Sequence, residues 1–276
     1  MTPPQPAMLK HEGNLFNWSM TYRRDADIHT PYMRPFVKNP EAAVNGSEWP
    51  RLWAGKKRQI LWPVSNCVTP SRREVLAGAL GQRIDLQIIG DCAGDEEDNP
   101  CPKGGDANAC LAKLLNRDYF FYLALENSDC QDYITEKFAS RIGEFAIPIV
   151  LSRKVLEPLG PPPNSFIAFD DFDNLTEMAK SLKTLAKNQT AYLSYFRWLQ
   201  KGYAPDRSRN YSFCLLCQRL LEDPPEKSSV VDLRKHYFSG CSGDYQTRRL
   251  TADNPADVAL PDLTALPLLQ RPPALV

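Results

Sequence analysis

Apolar runs and amphipathic stretches alternate through the middle of the chain. Gln59-Ile-Leu-Trp-Pro-Val-Ser65 has no sustained polar face and predicts a buried strand; Ser71 then stands as an N-cap for a helix reaching about Gln82. Asp85 to Ile89 predicts a second short strand, and Ala107 to Asn116 a short helix. Tyr119 to Leu125 is aromatic or aliphatic on both faces, the character of a central parallel strand covered by helices. Further on come a helix over Ile134 to Ile142, strands over Ala146 to Leu151 and Ser165 to Phe169, and a helix from Asp170. Leu175, Met178, Ala179 and Leu182 form the apolar stripe of that last helix. The βαβαβα order predicts an α/β fold with a parallel sheet and right-handed crossovers, whose ligands gather outside the carboxyl ends of the strands.

The flanks follow other rules. Residues 1–56 hold prolines, asparagines and isolated aromatics without a period, and read as a linker, the remnant of a preceding domain, with little core of its own. The α/β pattern occupies residues 57–203, and residues 204–245 form a cysteine-containing segment. Residues 246–276 have leucines and prolines but no usable period and are expected to be a disordered tail. The acidic stretch from Gly90 to Asn108 carries Cys92 and Cys101 and predicts a disulfide-pinned surface loop.

Charge narrows the classes of partner. Lys and Arg total 33 against 33 Asp and Glu, so no overall field draws the chain to nucleic acid, and phosphate recognition has to be local. No stretch approaches the roughly 20 apolar residues that cross a bilayer, and no signal or anchor is visible. The eight cysteines are an even number, and acceptor sequons lie at Asn17, Asn45, Asn174, Asn188 and Asn210. Together these point to an oxidising, secretory compartment, and the chain is then expected to be a fragment or alternative product that has lost an upstream anchor.

The densest chemistry lies in Phe121-Tyr-Leu-Ala-Leu-Glu-Asn-Ser-Asp-Cys-Gln-Asp-Tyr-Ile-Thr-Glu-Lys137, a strand entering a polar turn and then a helix. A helix start beyond a strand end aims backbone N–H groups and a positive dipole at one point, a provision for phosphate to which Lys137 adds a full charge. Glu126 and Asn127 have the groups to hold sugar hydroxyls, Tyr133 to bond a phosphate oxygen, and Glu136 to accept from a ribose. Taken alone, Tyr119 to Leu125 is packing and Glu126 to Lys137 a solvated helix start; the ordered polar motif is what the bland reading leaves unexplained.

This segment resembles the donor motif of the α1,3/4-fucosyltransferase family: an aromatic strand, Glu-Asn-Ser, then Asp-Tyr-Ile-Thr-Glu-Lys. Val64-Ser65-Asn66-Cys67 followed by Arg73 is similar to the family's Ser-Asn-Cys turn and phosphate-contacting arginine. Phe16-Asn17-Trp18-Ser19-Met20-Thr21-Tyr22-Arg23-Arg24-Asp25-Ala26-Asp27 resembles the stretch near its domain junction, and Pro162 to Ile167 with Thr190 to Phe196 a fourth segment. The resemblance spans about residues 12 to 241.

It implies the carboxy-terminal, Rossmann-like half of a GT-B glycosyltransferase, which binds GDP-fucose in Ser65, Asn66, Arg73, Glu126, Asn127, Tyr133, Glu136 and Lys137. It also implies an inverting transfer of L-fucose to a glycan hydroxyl, the 3-OH of GlcNAc, on a glycoprotein or glycolipid, in the Golgi lumen and membrane-anchored at full length. No cofactor is required, and a divalent metal is at most a stimulant. The general base belongs to the amino-terminal acceptor domain, so no catalytic residue is assigned here, and Glu12 is too close to the junction motif to serve. The alternative is a catalytically inactive GDP-sugar-binding fragment or interaction protein.

Several short patterns carry less. Asp25-Ala26-Asp27 and Asp171-Phe172-Asp173 have the Asp-x-Asp form of some metal-diphosphate sites but are assigned to the junction stretch and to a helix start. Cys214-Leu-Leu-Cys217 has the spacing of half a zinc site or a redox pair, with no second half downstream. The resemblance implies instead a structural disulfide among Cys214, Cys217 and Cys241. Cys67 and Cys130 follow two strands expected to be neighbours and make a second candidate bridge.

Overall fold

The computed structural model of the chain describes residues 16–93, 100–101, 106–206, 211–222 and 233–251. Short strands β1 (Met20–Thr21) and β2 (Ile28–His29) pair in parallel, β3 (Phe36–Lys38) follows, and helix α1 (Trp49–Gly55) leads into the main domain. There β4 (Arg58–Pro63), α2 (Arg73–Gly81), β5 (Leu86–Ile89), α3 (Ala107–Arg117) and β6 (Tyr119–Leu123) come in turn. Beyond a short β7 (Asp129–Cys130) lie α4 (Glu136–Ala139), β8 (Ile147–Val150), α5 (Arg153–Leu156), β9 (Ile167–Ala168) and α6 (Leu175–Lys187). The chain continues through α7 (Gln189–Ser194), α8 (Arg197–Gln200), β10 (Tyr203–Pro205), α9 (Tyr211–Leu220) and α10 (Leu233–Phe238) to β11 (Cys241–Gly243) and α11 (Tyr245–Thr251).

The central sheet has the order β5-β4-β6-β8-β9 with every pairing parallel, as the alternation predicts. Every residue of β6 is buried, which is why its sequence shows no polar face. Side-chain caps fix three helix starts: Asp106, Asn174 and Asn188 each accept from a backbone N–H in the first turn of α3, α6 and α7. The stripe of Leu175, Met178, Ala179 and Leu182 is buried, and α6 packs on α2.

Four expectations change in the structure. First, α2 starts at Arg73, with Arg72 left-handed at φ 52°, because the Ser71 hydroxyl is turned to the Glu126 carbonyl (2.8 Å) rather than to a helical N–H. Second, the helix expected over Ile134 to Ile142 is reduced to α4, since Tyr133 and Ile134 are buried and the Glu126 carboxylate takes the Thr135 N–H. Third, Asp170 lies in a tight turn and α6 begins only at Leu175, because the Asp170 carboxylate accepts from the Arg153 N–H and the Ser152 hydroxyl. Fourth, the amino-terminal segment shares the core: Met33 and Trp49 belong to the main apolar cluster, and Trp49 stacks on Phe145 at 6.0 Å. Its aromatics lack a period because they are spaced by turns.

The disulfides also differ from expectation. Cys67 pairs with Cys92, Cys101 with Cys110, and Cys130 with Cys241, while Cys214 and Cys217 are free and exposed. Cys67 does not meet Cys130, nor Cys92 Cys101. The exits of β4 and β5 lie side by side, with the Val64 carbonyl bonded to the Cys92 N–H, which brings Cys92 to Cys67. Cys130 is claimed by β11, which pairs antiparallel with β7 and sets Cys241 opposite it. Of the sequons, Asn17, Asn45 and Asn188 are exposed, Asn174 is half-buried, and Asn210 lies outside the described residues. The tail expected over residues 246–276 begins instead as part of α11, which packs on α2 with Gln246, Thr247 and Leu250 buried, and its remainder from residue 252 lies outside the described residues.

Lys56, between α1 and β4, is buried, with no carboxylate in contact among the described residues. Its Nζ donates to the carbonyls of Leu115 (2.9 Å), Tyr119 (2.7 Å) and Asn116 (3.4 Å), closing the end of α3, and lies 4.9 Å above the Phe145 ring. Burial pushes its pKa down to about 7, against the pull of Asp118. A neutral amine keeps enough N–H groups for the two short bonds. The unfolded chain therefore binds more protons than the folded one between about pH 7 and the ordinary lysine range, and stability rises with pH across that window. Denaturant unfolding at pH 7 and pH 9 is expected to show a gain of about 1 kcal/mol per pH unit at its steepest, absent in Lys56→Met. Equal slopes in the two proteins would refute this role.

Candidate active site

The strand exits β4, β5 and β6 build the candidate site through backbone contacts. Gly90 closes the β5 exit at φ +98°, where an added Cβ would lie 2.6 Å from the Val64 carbonyl oxygen, so only glycine allows the two loops to approach. Ser65 and Asn66 are exposed on the β4 loop, which the Cys67–Cys92 bridge fastens to the β5 loop. The Asn127 carbonyl accepts from the Ser71 N–H (3.0 Å), joining the β6 exit to the start of α2.

Arg73 locks this junction from beneath. It is only 2% exposed, and its guanidinium donates to the carbonyls of Leu125 and Asn66 while lying 5.8 Å from the Trp62 ring. Burial holds its pKa below the usual arginine range. Its Nε is buried without a partner among the described residues. Arg73 thus acts first as a positioning residue, holding the β4 and β6 exits together.

Glu126 organises the other side. Its carboxylate accepts from the Thr135 N–H and the Thr135 hydroxyl, both at 2.7 Å, and lies 3.4 Å from Lys137 Nζ. Burial pushes the Glu126 carboxyl up even so, with Lys137 and Thr135 pulling it down. Lys137 Nζ also donates to the Thr135 hydroxyl (2.9 Å) and to Glu136 (3.0 Å), whose side chain is largely in solvent. The ammonium is thereby fixed at the start of α4 between one buried and one exposed carboxylate, and an incoming anion can displace the exposed one. Asn127 is buried with its Oδ1 unpartnered among the described residues, an acceptor suited to a ligand hydroxyl or N–H. Tyr133 is buried against Tyr22, ring centroids 5.0 Å apart, and burial beside Glu126 raises its pKa.

The four sequence segments do not all meet here. The first three do: Tyr22 packs against Tyr133 with the rings tilted at 57°, and Arg24 pairs with Asp132 at 2.8 Å, so the junction stretch lies against the donor motif. The fourth goes to the core, where the Tyr192 hydroxyl donates to the Phe120 carbonyl (2.8 Å) amid Phe120, Phe145 and Phe196. Three of the four Asp-x-Asp carboxylates are occupied locally: Asp25 by Arg23, Asp27 by Ser19, and Asp171 by Arg153. Sequence reasoning missed Thr135 as the partner of Glu126, and it missed the carboxy-terminal strap. In that strap the Ser242 hydroxyl donates to Asp129 (2.6 Å), and Thr247 to the Ser71 and Arg72 carbonyls (3.0 and 3.3 Å). Only the cysteine at 130, inside the motif, could have signalled a bridge to a distant segment.

The sequence profile described as "Glycosyltransferase family 10 (fucosyltransferase) C-term" matches residues 53–236, which include every residue of this constellation from Ser65 to Lys137. The chain belongs to this fucosyltransferase family. Among curated relatives, alpha-(1,3)-fucosyltransferase fut-5 of Caenorhabditis elegans is 39% identical over 249 residues, covering 86% of this chain and 63% of that protein. Alpha-(1,3)-fucosyltransferase fut-6 of the same organism is 33% identical over 257 residues, covering 90% of this chain and 63% of that protein. The chain thus spans less than two thirds of the length of these relatives. Its fold matches a crystal structure of an α1,3-fucosyltransferase with GDP-fucose at a TM-score of 0.50 and 19% identity, over 74% of this chain and 69% of that one. This agrees with the expected Rossmann-like, GT-B type of parallel sheet. Among the described residues, no helix is long and apolar enough to cross a membrane.

Proposed function

We propose that this chain is the donor-binding part of an α1,3-fucosyltransferase that transfers L-fucose from GDP-fucose to the 3-OH of GlcNAc in a glycoprotein or glycolipid glycan, with inversion. The observation that carries the reading is the Lys137 ammonium fixed against Thr135 and Glu126 at the carboxyl end of β6, where the neighbouring Asn127 keeps a buried Oδ1 without a partner among the described residues. Ser65 and Asn66 on the exposed β4 loop, with Lys137, are assigned to the diphosphate, and Asn127, Tyr133 and Glu136 to the nucleoside and sugar hydroxyls. Arg73 supports them from below and can add its field.

In the reaction the acceptor oxygen attacks C1 of fucose as its proton passes to a carboxylate base, and the bond from C1 to the β-phosphate oxygen breaks. Lys137 stabilises the charge gathering on the departing GDP. We assign the base to an acceptor-binding half, not to Glu126, whose carboxylate is committed to Thr135 and Lys137. A Golgi-luminal setting fits the three disulfides, and membrane anchoring belongs to the same proposal.

Titration calorimetry of GDP into the full chain tests the reading. Saturable binding is expected, with turnover of GDP-fucose once an acceptor-binding half is supplied. A folded chain that takes up no GDP would end the proposal.

A further inference from the structure

The balanced total of 33 basic and 33 acidic residues conceals one local excess of positive charge. At the opposite end of α2 from Arg73, the turn holding Arg83 meets α6 and encloses a groove of about 380 Å³. Arg83, Lys180, Lys183 and Lys187 line it with the Thr176 and Thr184 side chains, and no carboxylate of the described residues does. Glu177, the one acidic residue of α6, is outside its walls. Two of the cations are held in place: Arg83 donates through Nε to the Thr176 hydroxyl (3.2 Å) and through Nη1 to the Ala79 carbonyl (2.8 Å), and Lys183 Nζ donates to the Arg83 carbonyl (2.6 Å). Lys180 and Lys187 are exposed. A solvated helix face ordinarily mixes charges of both signs, which stabilise one another at i,i+4 spacing. Here four cations share one concave surface and repel each other until an anion enters.

We propose that this groove is a docking surface for a sulfated polysaccharide chain. Lys180 to Lys187 spread their charge over about 10 Å of helix, which suits a linear polymer carrying successive anionic groups better than one small anion. The walls hold no aromatic side chain on which a nucleic acid base could stack and no large apolar one to enter a lipid surface. The two threonine hydroxyls can instead donate to sulfate oxygens or accept from sugar hydroxyls, while the four cations neutralise the sulfates. Because α2 separates the groove from the strand exits, a docked polymer leaves the donor side open, and the inference stands apart from the functional reading above.

The experiment is a titration of the full chain with a heparin octasaccharide and with an unsulfated hyaluronan oligosaccharide of the same length. Saturable binding of heparin is expected, weakening about 50-fold between 50 and 200 mM salt if all four cations release counterions, as they do on a single-stranded polyanion. Hyaluronan is expected to bind about tenfold more weakly or less. Lys180→Glu combined with Lys187→Glu should weaken heparin about tenfold or more. Lys113→Glu combined with Lys201→Glu makes the same change in net charge at exposed positions elsewhere and should alter the affinity by less than about twofold. If the first pair fails to fold by circular dichroism, Lys180→Gln with Lys187→Gln decides, with an expected loss of about threefold or more. No heparin binding at 50 mM salt, equal affinity for hyaluronan, or equal losses in the groove and control variants would overturn the inference. Tighter binding to phosphatidylserine vesicles or to single-stranded DNA than to heparin would overturn it as well, in favour of those partners.

Discussion

Arg73→Met is expected to lower the stability of the domain by about 3 kcal/mol. The guanidinium makes two charge-assisted hydrogen bonds, to the carbonyls of Leu125 and Asn66, and each such bond is worth about 1.5–3 kcal/mol. Methionine fills much of the volume but offers no donor, so both carbonyls lose their partner. The loss falls where the β4 loop meets the β6 exit, and the orientation of Asn66 and Asn127 loosens with it. Denaturant midpoints of wild-type and variant proteins measure the effect. A change below about 1 kcal/mol would mean that the buried guanidinium does not hold the junction, leaving direct contact with phosphate as its role.

Lys137→Ala should weaken GDP binding by about tenfold or more, the loss of one charge-assisted contact, and should cost about 10²- to 10³-fold in turnover once an acceptor-binding half is present. The larger effect on turnover follows from the leaving group, because negative charge on the β-phosphate grows as the bond to C1 breaks. The variant also leaves the buried Glu126 carboxylate without its cation, which pushes its pKa further up and takes some stability away. Lys137→Arg keeps the charge and is expected to retain most of the affinity. If Lys137→Ala folds and binds GDP as tightly as wild type, the ammonium only partners Glu126 and Glu136, and the diphosphate site lies elsewhere.

The two predictions differ in kind because the two cations differ in exposure. Arg73 is 2% exposed and already bonded to backbone, so its removal is read first in stability. Lys137 keeps 23% of its side chain accessible and shares its ammonium with the largely exposed Glu136, so its removal is read first in ligand affinity.

By itself the sequence determined the order of strands and helices, because a parallel sheet covered on both faces requires apolar strands such as Tyr119 to Leu123 separated by amphipathic helices such as Leu175–Lys187. It also placed the candidate site, since Glu126 to Lys137 is a local motif whose polar residues follow a strand end. The tertiary structure alone decided which partners these residues take. Disulfide pairing depends on which loops meet in space, so Cys67 went to Cys92 and Cys130 to Cys241 across 111 residues of chain. The inward turn of Arg73, the capture of Thr135 by Glu126, and the return of Thr247 to the start of α2 are likewise contacts between distant segments, which no local period encodes. Hydrophobic periodicity reports how each element faces the core; the pairing of buried polar groups is settled only when those elements pack.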